Sequence, residues 1–220
     1  MGKKIISFSL WGKNPKYTIG AIKNSQLSKT IYPDWNCRFY CANDVPEDIL
    51  QSLSQDSEVI KTGKNGNWKF TTERLLAIDD AEVVIFRDTD SRLNLREKTA
   101  VDVWLQGDKG IHVMRDHPYH GGFPILAGMW GIKKKNFNMS MASLLSLYLN
   151  SEQYHYDQIF LRDYIWRFFS EDVCCHDEIF IKNNFPTVRN GLEFVGEVFD
   201  EQGNNITEHT QALKEHLEKQ

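Results

Sequence analysis

The sequence predicts an α/β fold in which a central, mostly parallel sheet is flanked by helices. Strand-like and helix-like segments alternate along most of the 220 residues, and this order of elements typically builds a parallel sheet. Residues 81–86, Ala-Glu-Val-Val-Ile-Phe, form a β-branched run without strict polar alternation, as in a buried central strand. An acidic triplet, Asp88-Thr89-Asp90, follows that run almost directly.

The first half of the chain is predicted from periodicity and from its turn residues. Ile22 and Leu27 have helical spacing, and Pro33 ends that helix. Two glycines and two asparagines in 62–67 indicate a loop. The predicted elements are a strand at 4–9, a helix at 17–30, a strand at 37–42, a short helix opening at 43–46, a strand at 58–61, a helix at 68–78 and the strand at 81–86.

The second half continues the alternation. The predicted elements are a helix at 94–105, a strand at 110–114, an apolar strand segment at 124–132, helices at 137–149 and 156–169, an irregular segment at 172–176 and a charged helix at 207–219. We divide the chain into a domain at 1–204 and a C-terminal helical appendage at 205–220. Ala212, Leu213 and Leu217 share one face of the last helix, which could dock on the core, pair with a second copy in a homodimer or join a further domain.

Composition and charge exclude several classes of protein. Hydrophobic residues make up 41% and charged residues 25%, as in an ordinary globular protein. The net charge of -4, without a long basic run, argues against a nucleic-acid partner. The apolar stretch at 5–10 is too short for a signal peptide or a membrane span, so we expect a cytoplasmic protein. The four cysteines lack CxxC spacing, which predicts reduced thiols without a structural metal.

The acidic triplet is the strongest functional signal in the sequence. Ligands of open α/β sheets bind at the carboxyl ends of the strands, where Asp88 and Asp90 lie. Two neighbouring carboxylates need a cation to neutralise them, and Mn²⁺ or Mg²⁺ suits carboxylate and diphosphate oxygens. Such an ion could hold a nucleotide diphosphate as a leaving group. The alternative is that one aspartate caps a helix and the other lies in an exposed turn.

Eight segments between residues 4 and 200 carry a resemblance to a known family. They are 7–12, 32–35, 86–92, 117–120, 128–131, 156–158, 176–177 and 194–196. The chain resembles small GT-A-type glycosyltransferases of bacteria, bacteriophages and large algal viruses. The resemblance implies one GT-A-like, Rossmann-like domain. It also implies metal-dependent transfer of a sugar from a UDP- or GDP-linked donor to a glycan or another hydroxyl acceptor.

The resemblance also implies a binding site for the nucleotide-sugar. Trp11 could stack on the base, although it could equally be a core residue, and Lys69 could act as a point charge on the diphosphate. The residues predicted to bind the nucleotide-sugar are Ser7, Ser9, Trp11, Lys69, Arg87, Asp88, Asp90, Gly128 and Trp130.

The base and the third metal ligand follow from the same resemblance, whereas the acceptor contacts are suggested by the charged and aromatic residues of 115–122, which could also form a structural loop. Asp157 is the first and Asp116 the second candidate for the base that deprotonates the acceptor; a base at Asp157 favours inversion, with retention left open. His176 is predicted to join Asp88 and Asp90 as a metal ligand. The acceptor is predicted to contact His117, Tyr119 and Trp130.

Two other functions compete with a glycosyltransferase. A sugar nucleotidyltransferase shares the alternating layout and the use of a metal, but it normally has a glycine-rich loop after the first strand, and residues 7–14 contain one glycine. A non-catalytic carbohydrate-binding domain is compatible with six tryptophans and eight tyrosines. The intact pair of aspartates argues against it.

Overall fold

The computed structural model describes residues 2–148 and 154–219. None of the helices in these two ranges combines the length and the apolar character that a membrane crossing requires. The strands are β1 Lys4–Leu10, β2 Asn36–Cys41, β3 Glu58–Lys61, β4 Val83–Phe86, β5 Ile111–Arg115, β6 Trp130–Lys133 and β7 Val173–Asp177. The α-helices are α1 Pro15–Ile31, α2 Glu47–Ser54, α3 Leu95–Gln106, α4 Met141–Leu147, α5 Tyr156–Phe160, α6 Arg167–Phe169 and α7 Thr207–Leu217. Short helices of other types are the 3₁₀ helices Trp68–Asp79, Pro118–His120 and Lys134–Asn136 and the π-helix Leu161–Trp166.

The seven strands form one sheet in the order β3-β2-β1-β4-β6-β5-β7. Strand β6 is antiparallel to both of its neighbours, β4 and β5, and the other strand pairs are parallel. Helices α1 and α2 connect parallel neighbours in the first half, as parallel pairing requires. The predicted α/β fold with a mostly parallel sheet is therefore confirmed.

Local sequence explains where the two long helices begin. Asn14 accepts a hydrogen bond from the backbone N–H of Lys16, and Pro15 occupies the first turn of α1. Asn94 accepts from the backbone N–H of Glu97 at the start of α3, at 2.8 Å. These caps fix the helices that follow β1 and β4, whose predicted starts at 17 and 94 lie within two residues of the observed ones.

The core lies on both faces of the sheet. On one face Phe8 and Phe39 stack with their ring centroids 4.7 Å apart, and Trp104 of α3 is packed into the same cluster. On the other face Phe86 stacks on Trp130 at 4.4 Å, and Phe160 of α5 joins that cluster. Burial on both faces holds β4 rigidly, so the residues that follow it leave the sheet from a fixed position.

Several predicted segments differ from the structure, and the helix predicted from residue 137 begins only at Met141. Of the segment predicted as a strand at 124–132, only residues 130–132 belong to a strand, β6. Trp130 pairs with Phe86, the last residue of β4, so the residues before Trp130 have no partner on that strand. The segment predicted as irregular at 172–176 is largely strand β7, which pairs with β5 over five residues. Its pairing partner is distant in sequence, so local pattern alone did not reveal it. Leu149, the predicted end of a helix, lies outside the described residues.

Candidate active site

A cleft of about 630 Å³ lies at the carboxyl ends of β1 and β4. Its size falls within the range of ordinary small-molecule sites. Residues of β1 and the loop after it form one side, and the acidic triplet forms the floor. Gly128 and Met129, which precede β6, and His209 of α7 form other parts of the lining. The cleft therefore opens where ligands of open α/β sheets bind.

The two serines of β1 fix the 3₁₀ helix Trp68–Asp79 beside the cleft. Ser7 Oγ donates to the carbonyl of Arg74 at 2.8 Å. Ser9 Oγ donates to the carbonyl of Thr71 at 3.2 Å and accepts from the backbone N–H of Arg74 at 3.0 Å. These bonds anchor the backbone of Arg74 to strand β1.

The Arg74 side chain links two carboxylates that line the cleft. Its guanidinium donates to Asp88 Oδ1 at 2.5 Å, to Asp157 Oδ2 at 2.8 Å and to the carbonyl of Arg87 at 2.8 Å. Burial by itself lowers the pKa of Arg74, but the charges of Asp88 and Asp157 outweigh that effect and raise it. We call Arg74, Asp88 and Asp157 the cleft cluster.

Arg74 is a cleft residue that the sequence prediction lacks. A usable signal was present, because Arg74 lies four residues from both Phe70 and Ile78 and so shares their helical face. A lone arginine on an otherwise apolar face needs an acidic partner when it is buried. The partner Asp157 is 83 residues away, which is why the sequence could not name it.

Asp90 is paired with a different cation. Lys16 Nζ at the start of α1 lies 2.8 Å from Asp90 Oδ2. Burial, together with the negative charge of Asp88, raises the pKa of Asp90. The two aspartates of the triplet thus repel each other, and each is compensated by one protein cation.

The backbone around the triplet is closely packed. A Cβ atom on Gly128 would lie 2.0 Å from Asp88 Oδ2, so any side chain there would displace the carboxylate. A Cβ atom on Gly20 would lie 2.0 Å from the carbonyl of Thr89. Asn24 Nδ2 donates to the carbonyl of Ser91 at 2.8 Å. The direction of Asp88 is therefore set by its surroundings.

Aromatic side chains form the upper part of the cleft. Trp11 and Trp68 make an edge contact with centroids 6.1 Å apart, and Tyr154 contacts Trp68 at 4.9 Å. Trp68 is 47% exposed and all three line the cleft. A flat, partly exposed surface of this kind can stack on a base or a sugar ring.

Histidines and α7 form the opposite wall. His117 Nε2 lies 2.8 Å from the carbonyl of His209 and must donate to it, and His117 Nδ1 accepts from the backbone N–H of Tyr119. Burial lowers the pKa of His117 and lowers that of His120 to about 3, so both imidazoles are neutral at pH 7. Helix α7 thus contributes His209 to the cleft, although the sequence assigned it to an appendage.

The structure brings most of the predicted residues together at the cleft and leaves others outside it. Eight of the predicted residues line it: Ser9, Trp11, Asp88, Asp90, His117, Tyr119, Gly128 and Asp157. Six do not, namely Ser7, Lys69, Arg87, Asp116, Trp130 and His176.

Asp116, the second candidate for the base, is sealed in the interior. Its carboxylate accepts two bonds from Arg96, one from Arg189 and one from the backbone N–H of Val195. Its side chain is 0% exposed. We call Arg96, Asp116 and Arg189 the buried cluster. The prediction of a catalytic role for Asp116 is not supported, because no acceptor can reach the carboxylate.

Four other predictions of direct contact also need correction. Trp130 is fully buried against Phe86 and cannot face a sugar. Arg87 is buried and is ion-paired with Glu97 at 3.2 Å, which makes it a core residue. Ser7 is buried beneath the 3₁₀ helix, and Lys69 is exposed outside the cleft lining.

His176 is not brought together with Asp88 and Asp90. It lies on β7, and two strands, β6 and β5, separate β7 from β4. With neighbouring strands about 4.8 Å apart, the two positions are roughly 14 Å apart across the sheet. His176 Nδ1 instead lies 2.8 Å from His112 Nε2. The prediction that His176 binds the same metal as Asp88 and Asp90 is wrong, because the order of strands in the sheet does not follow their order along the chain.

Comparison with known proteins identifies the fold. No family model and no curated protein matches the sequence. A solved glycosyltransferase involved in the glycosylation of the major capsid of PBCV-1 is 15% identical, with 97% of this chain and 99% of that chain covered and a TM-score of 0.54. Glucosyl-3-phosphoglycerate synthase of Mycobacterium tuberculosis is 13% identical, with 79% and 70% covered and a TM-score of 0.51.

Two further mycobacterial structures complete the comparison. A complex of the M. tuberculosis synthase with Mn²⁺, UDP and phosphoglyceric acid is 13% identical, with 79% and 68% covered and a TM-score of 0.52. Another mycobacterial protein is 13% identical, with 80% of this chain covered and a TM-score of 0.52, and the chain spans 65% of its length. Identities at this level establish the fold and nothing finer, so the predicted GT-A-like fold is confirmed.

Proposed function

We propose that this protein is a metal-dependent glycosyltransferase that moves a sugar from a UDP- or GDP-linked donor to a hydroxyl group of a glycan or another acceptor. The observation that carries the proposal is the convergence of Asp88, Asp90 and Asp157 on one cleft at the carboxyl end of β4. The GT-A-like fold supports it, and so do the Mn²⁺ and UDP present in a solved structure of that fold.

Asp88 and Asp90 are the proposed ligands of Mn²⁺ or Mg²⁺. The donor set fits such an ion, because hard divalent cations prefer carboxylate oxygens and leave positions for diphosphate oxygens and water. Arg74 donates to Asp88 Oδ1, and Asp88 Oδ2 lies against Gly128, in space that any side chain at residue 128 would fill. When bound, the ion neutralises the charge that develops on the diphosphate leaving group.

Arg74 and Lys16 complement that ion with protein charge. Both contact the acidic triplet directly, Arg74 through Asp88 and Lys16 through Asp90. A carboxylate that accepts from one of these cations still has free lone pairs for a second partner. We propose that the pair keeps the aspartates charged and oriented, and that Lys16 can turn toward a bound diphosphate.

Asp157 is the proposed base. Its side chain lines the cleft at the start of α5, where Oδ2 accepts from Arg74 and Oδ1 accepts from the backbone N–H of Gln158 at 2.9 Å. These two bonds fix the direction of the carboxylate, and its remaining lone pairs can accept a proton from an acceptor hydroxyl. A carboxylate that acts as a base toward the acceptor hydroxyl favours transfer with inversion.

The remaining cleft residues divide between donor and acceptor. We propose that Ser9, Trp11 and Trp68 lie against the nucleotide, since they border the end of β1. His117, Tyr119 and His209 form the other wall and are the proposed acceptor contacts. Both ring nitrogens of His117 are already hydrogen-bonded, so it offers a ring face, whereas the Tyr119 hydroxyl and the His209 ring nitrogens can hydrogen-bond to sugar hydroxyls.

Calorimetric titration of UDP- and GDP-sugars, with and without Mn²⁺, tests the proposal. We expect binding that requires the metal and is lost in Asp90→Ala. The matched control is Asp34→Ala, because Asp34 is an exposed aspartate outside the cleft lining. Failure of every nucleotide-sugar to bind to folded protein with Mn²⁺ would overturn the proposal and favour a non-catalytic domain.

A further inference from the structure

Three potential metal ligands meet on the sheet face that packs against α3. His112 on β5 pairs in register with Cys174 on β7, and His176 follows two residues later on the same face of β7. One ligand atom from each of the three lies within 4.8 Å of the other two. His112 also stacks on Trp104 of α3, with the ring centroids 5.2 Å apart. This cluster is separate from the cleft.

The hydrogen bonding of His112 is incomplete. Its side chain is fully buried, and its Nε2 shares a hydrogen bond with His176 Nδ1 at 2.8 Å. Among the residues that the structure describes, His112 Nδ1 has no hydrogen-bond partner. The two nitrogens that face each other, His112 Nε2 and His176 Nδ1, are the atoms that a bound ion would use, so metal binding would replace their shared hydrogen bond.

The charge state of the cluster suits metal binding. Burial, with a smaller contribution from His176, Arg87 and Lys133, lowers the pKa of His112 well below its ordinary value, so the ring is neutral. Burial also lowers the pKa of His176, with a further contribution from Arg96. Neutral imidazoles are the form that binds metals.

Cys174 supplies the one negative charge. Burial raises the pKa of its thiol, and the charges of Lys133 and Lys109 oppose that rise. A cation bound by the sulfur would stabilise the thiolate further. The thiolate then offsets half of the charge of a divalent ion beside these lysines.

The donor set selects the kind of ion. Two imidazoles and a thiolate are borderline to soft ligands, which favour Zn²⁺ and related ions over Mn²⁺ and Mg²⁺. Tetrahedral coordination with metal–nitrogen distances of about 2.0–2.1 Å places two nitrogens roughly 3.3 Å apart. The two rings therefore need to separate by only about half an ångström from their present hydrogen-bonded distance.

We propose that His112, Cys174 and His176 form a second metal site, which binds Zn²⁺ and ties the edge strand β7 to β5. Three protein ligands leave a fourth position for water. Strand β7 leads into the segment that carries Phe194, Gly196 and Val198 to the cleft wall. An ion at this site would stabilise that wall from behind, and the proposal does not depend on the chemistry of the cleft.

Cobalt substitution tests the site directly. Untagged protein is stripped with a chelator and titrated with Co²⁺, whose thiolate complexes give a charge-transfer band in the near ultraviolet. We expect the intensity of this band to saturate at one Co²⁺ per chain. The band should be lost in Cys174→Ser and retained in Cys175→Ser. Cys175 is the matched control, because it is the adjacent thiol and packs against the opposite face of the sheet. Asp90→Ala should keep the band, which separates this site from the cleft.

Competition with Zn²⁺ supplies the affinity. Loss of an outer-shell partner weakens metal binding about 10- to 100-fold, so we expect loss of the ligand in Cys174→Ser or His176→Gln to weaken it at least about 100-fold. Zn²⁺ should also raise the melting temperature of the wild type but not that of Cys174→Ser. The proposal is wrong if no charge-transfer band forms, or if Cys174→Ser gives the same band and the same Zn²⁺ affinity as the wild type.

Discussion

The cleft cluster and the buried cluster are built from the same groups, yet they leave different atoms available. In the buried cluster four hydrogen bonds surround the carboxylate of Asp116, which is 0% exposed. In the cleft cluster Arg74 donates to one oxygen of Asp88, and the Asp88 side chain is 51% exposed. A saturated carboxylate contributes to stability, whereas one with free lone pairs in a cleft can bind a ligand.

Removal of the carboxylate from the buried cluster should have the largest effect. Asp116→Ala leaves the buried Arg96 and Arg189 with Glu178 as their remaining acidic partner, so we expect the free energy of unfolding to fall by about 3 kcal/mol. Denaturant titration measures this. Asp163→Ala removes an aspartate from an exposed pair with Arg162 and should change stability by less than about 0.5 kcal/mol. Equal effects of the two substitutions would contradict the assignment of Asp116 to the core.

Substitution in the cleft cluster should separate activity from stability. Asp88→Asn keeps the shape of the side chain but removes its charge, so we expect sugar transfer to fall by about 100-fold or more, while the free energy of unfolding changes by less than about 1 kcal/mol. Rates with a UDP- or GDP-sugar and a denaturation curve measure the two quantities. A loss of stability as large as that of Asp116→Ala would show that the clusters do not differ.

Gly128→Ala tests whether the direction of Asp88 matters. The added Cβ would lie 2.0 Å from Asp88 Oδ2 and should turn the carboxylate, so we expect Mn²⁺-dependent nucleotide binding to weaken about 10-fold. Gly107→Ala is the matched control, because the nearest atom to its added Cβ is 3.6 Å away. Calorimetry on both variants gives the comparison. Unchanged affinity in Gly128→Ala would mean that Asp88 Oδ2 is not a ligand.

The smallest expected effect is on pH dependence. Burial and the charge of Asp88 raise the pKa of Asp90, and metal binds only its charged form. As the pH is lowered, the affinity for Mn²⁺ should therefore begin to fall at a higher pH than it would for an aspartate with an ordinary pKa. Below that point the affinity should fall by up to about tenfold per pH unit.

The same shift has an opposite effect on the stability of metal-free protein. A carboxyl group with a raised pKa in the folded state contributes stability below the pKa of the unfolded chain, and that contribution is lost as the pH rises through the folded value. Asp90→Asn should remove both dependences. If the affinity of the wild type for Mn²⁺ stayed constant as Asp90 became protonated, Asp90 would not be a metal ligand.

Particular residues show how far the sequence could predict the site. Asp88 and Asp90 were identified because a buried strand and an acidic triplet are both local patterns. Arg87 stands in the same stretch but points into the core, since successive side chains alternate as a strand ends and only packing decides which side is open. Asp116 and His176 have suitable chemistry and unsuitable positions, because position depends on strand order.

The sequence by itself determined the class of fold, the buried central strand and the acidic triplet at its end, because periodicity and turn chemistry act over a few residues. The tertiary structure alone decided that Arg74 meets Asp157 across 83 residues, that α7 brings His209 to the cleft, and that His112 meets His176 across 64 residues. These contacts depend on the order of strands and on the packing of helices against them. Those arrangements are set by burial of the whole chain rather than by any local segment.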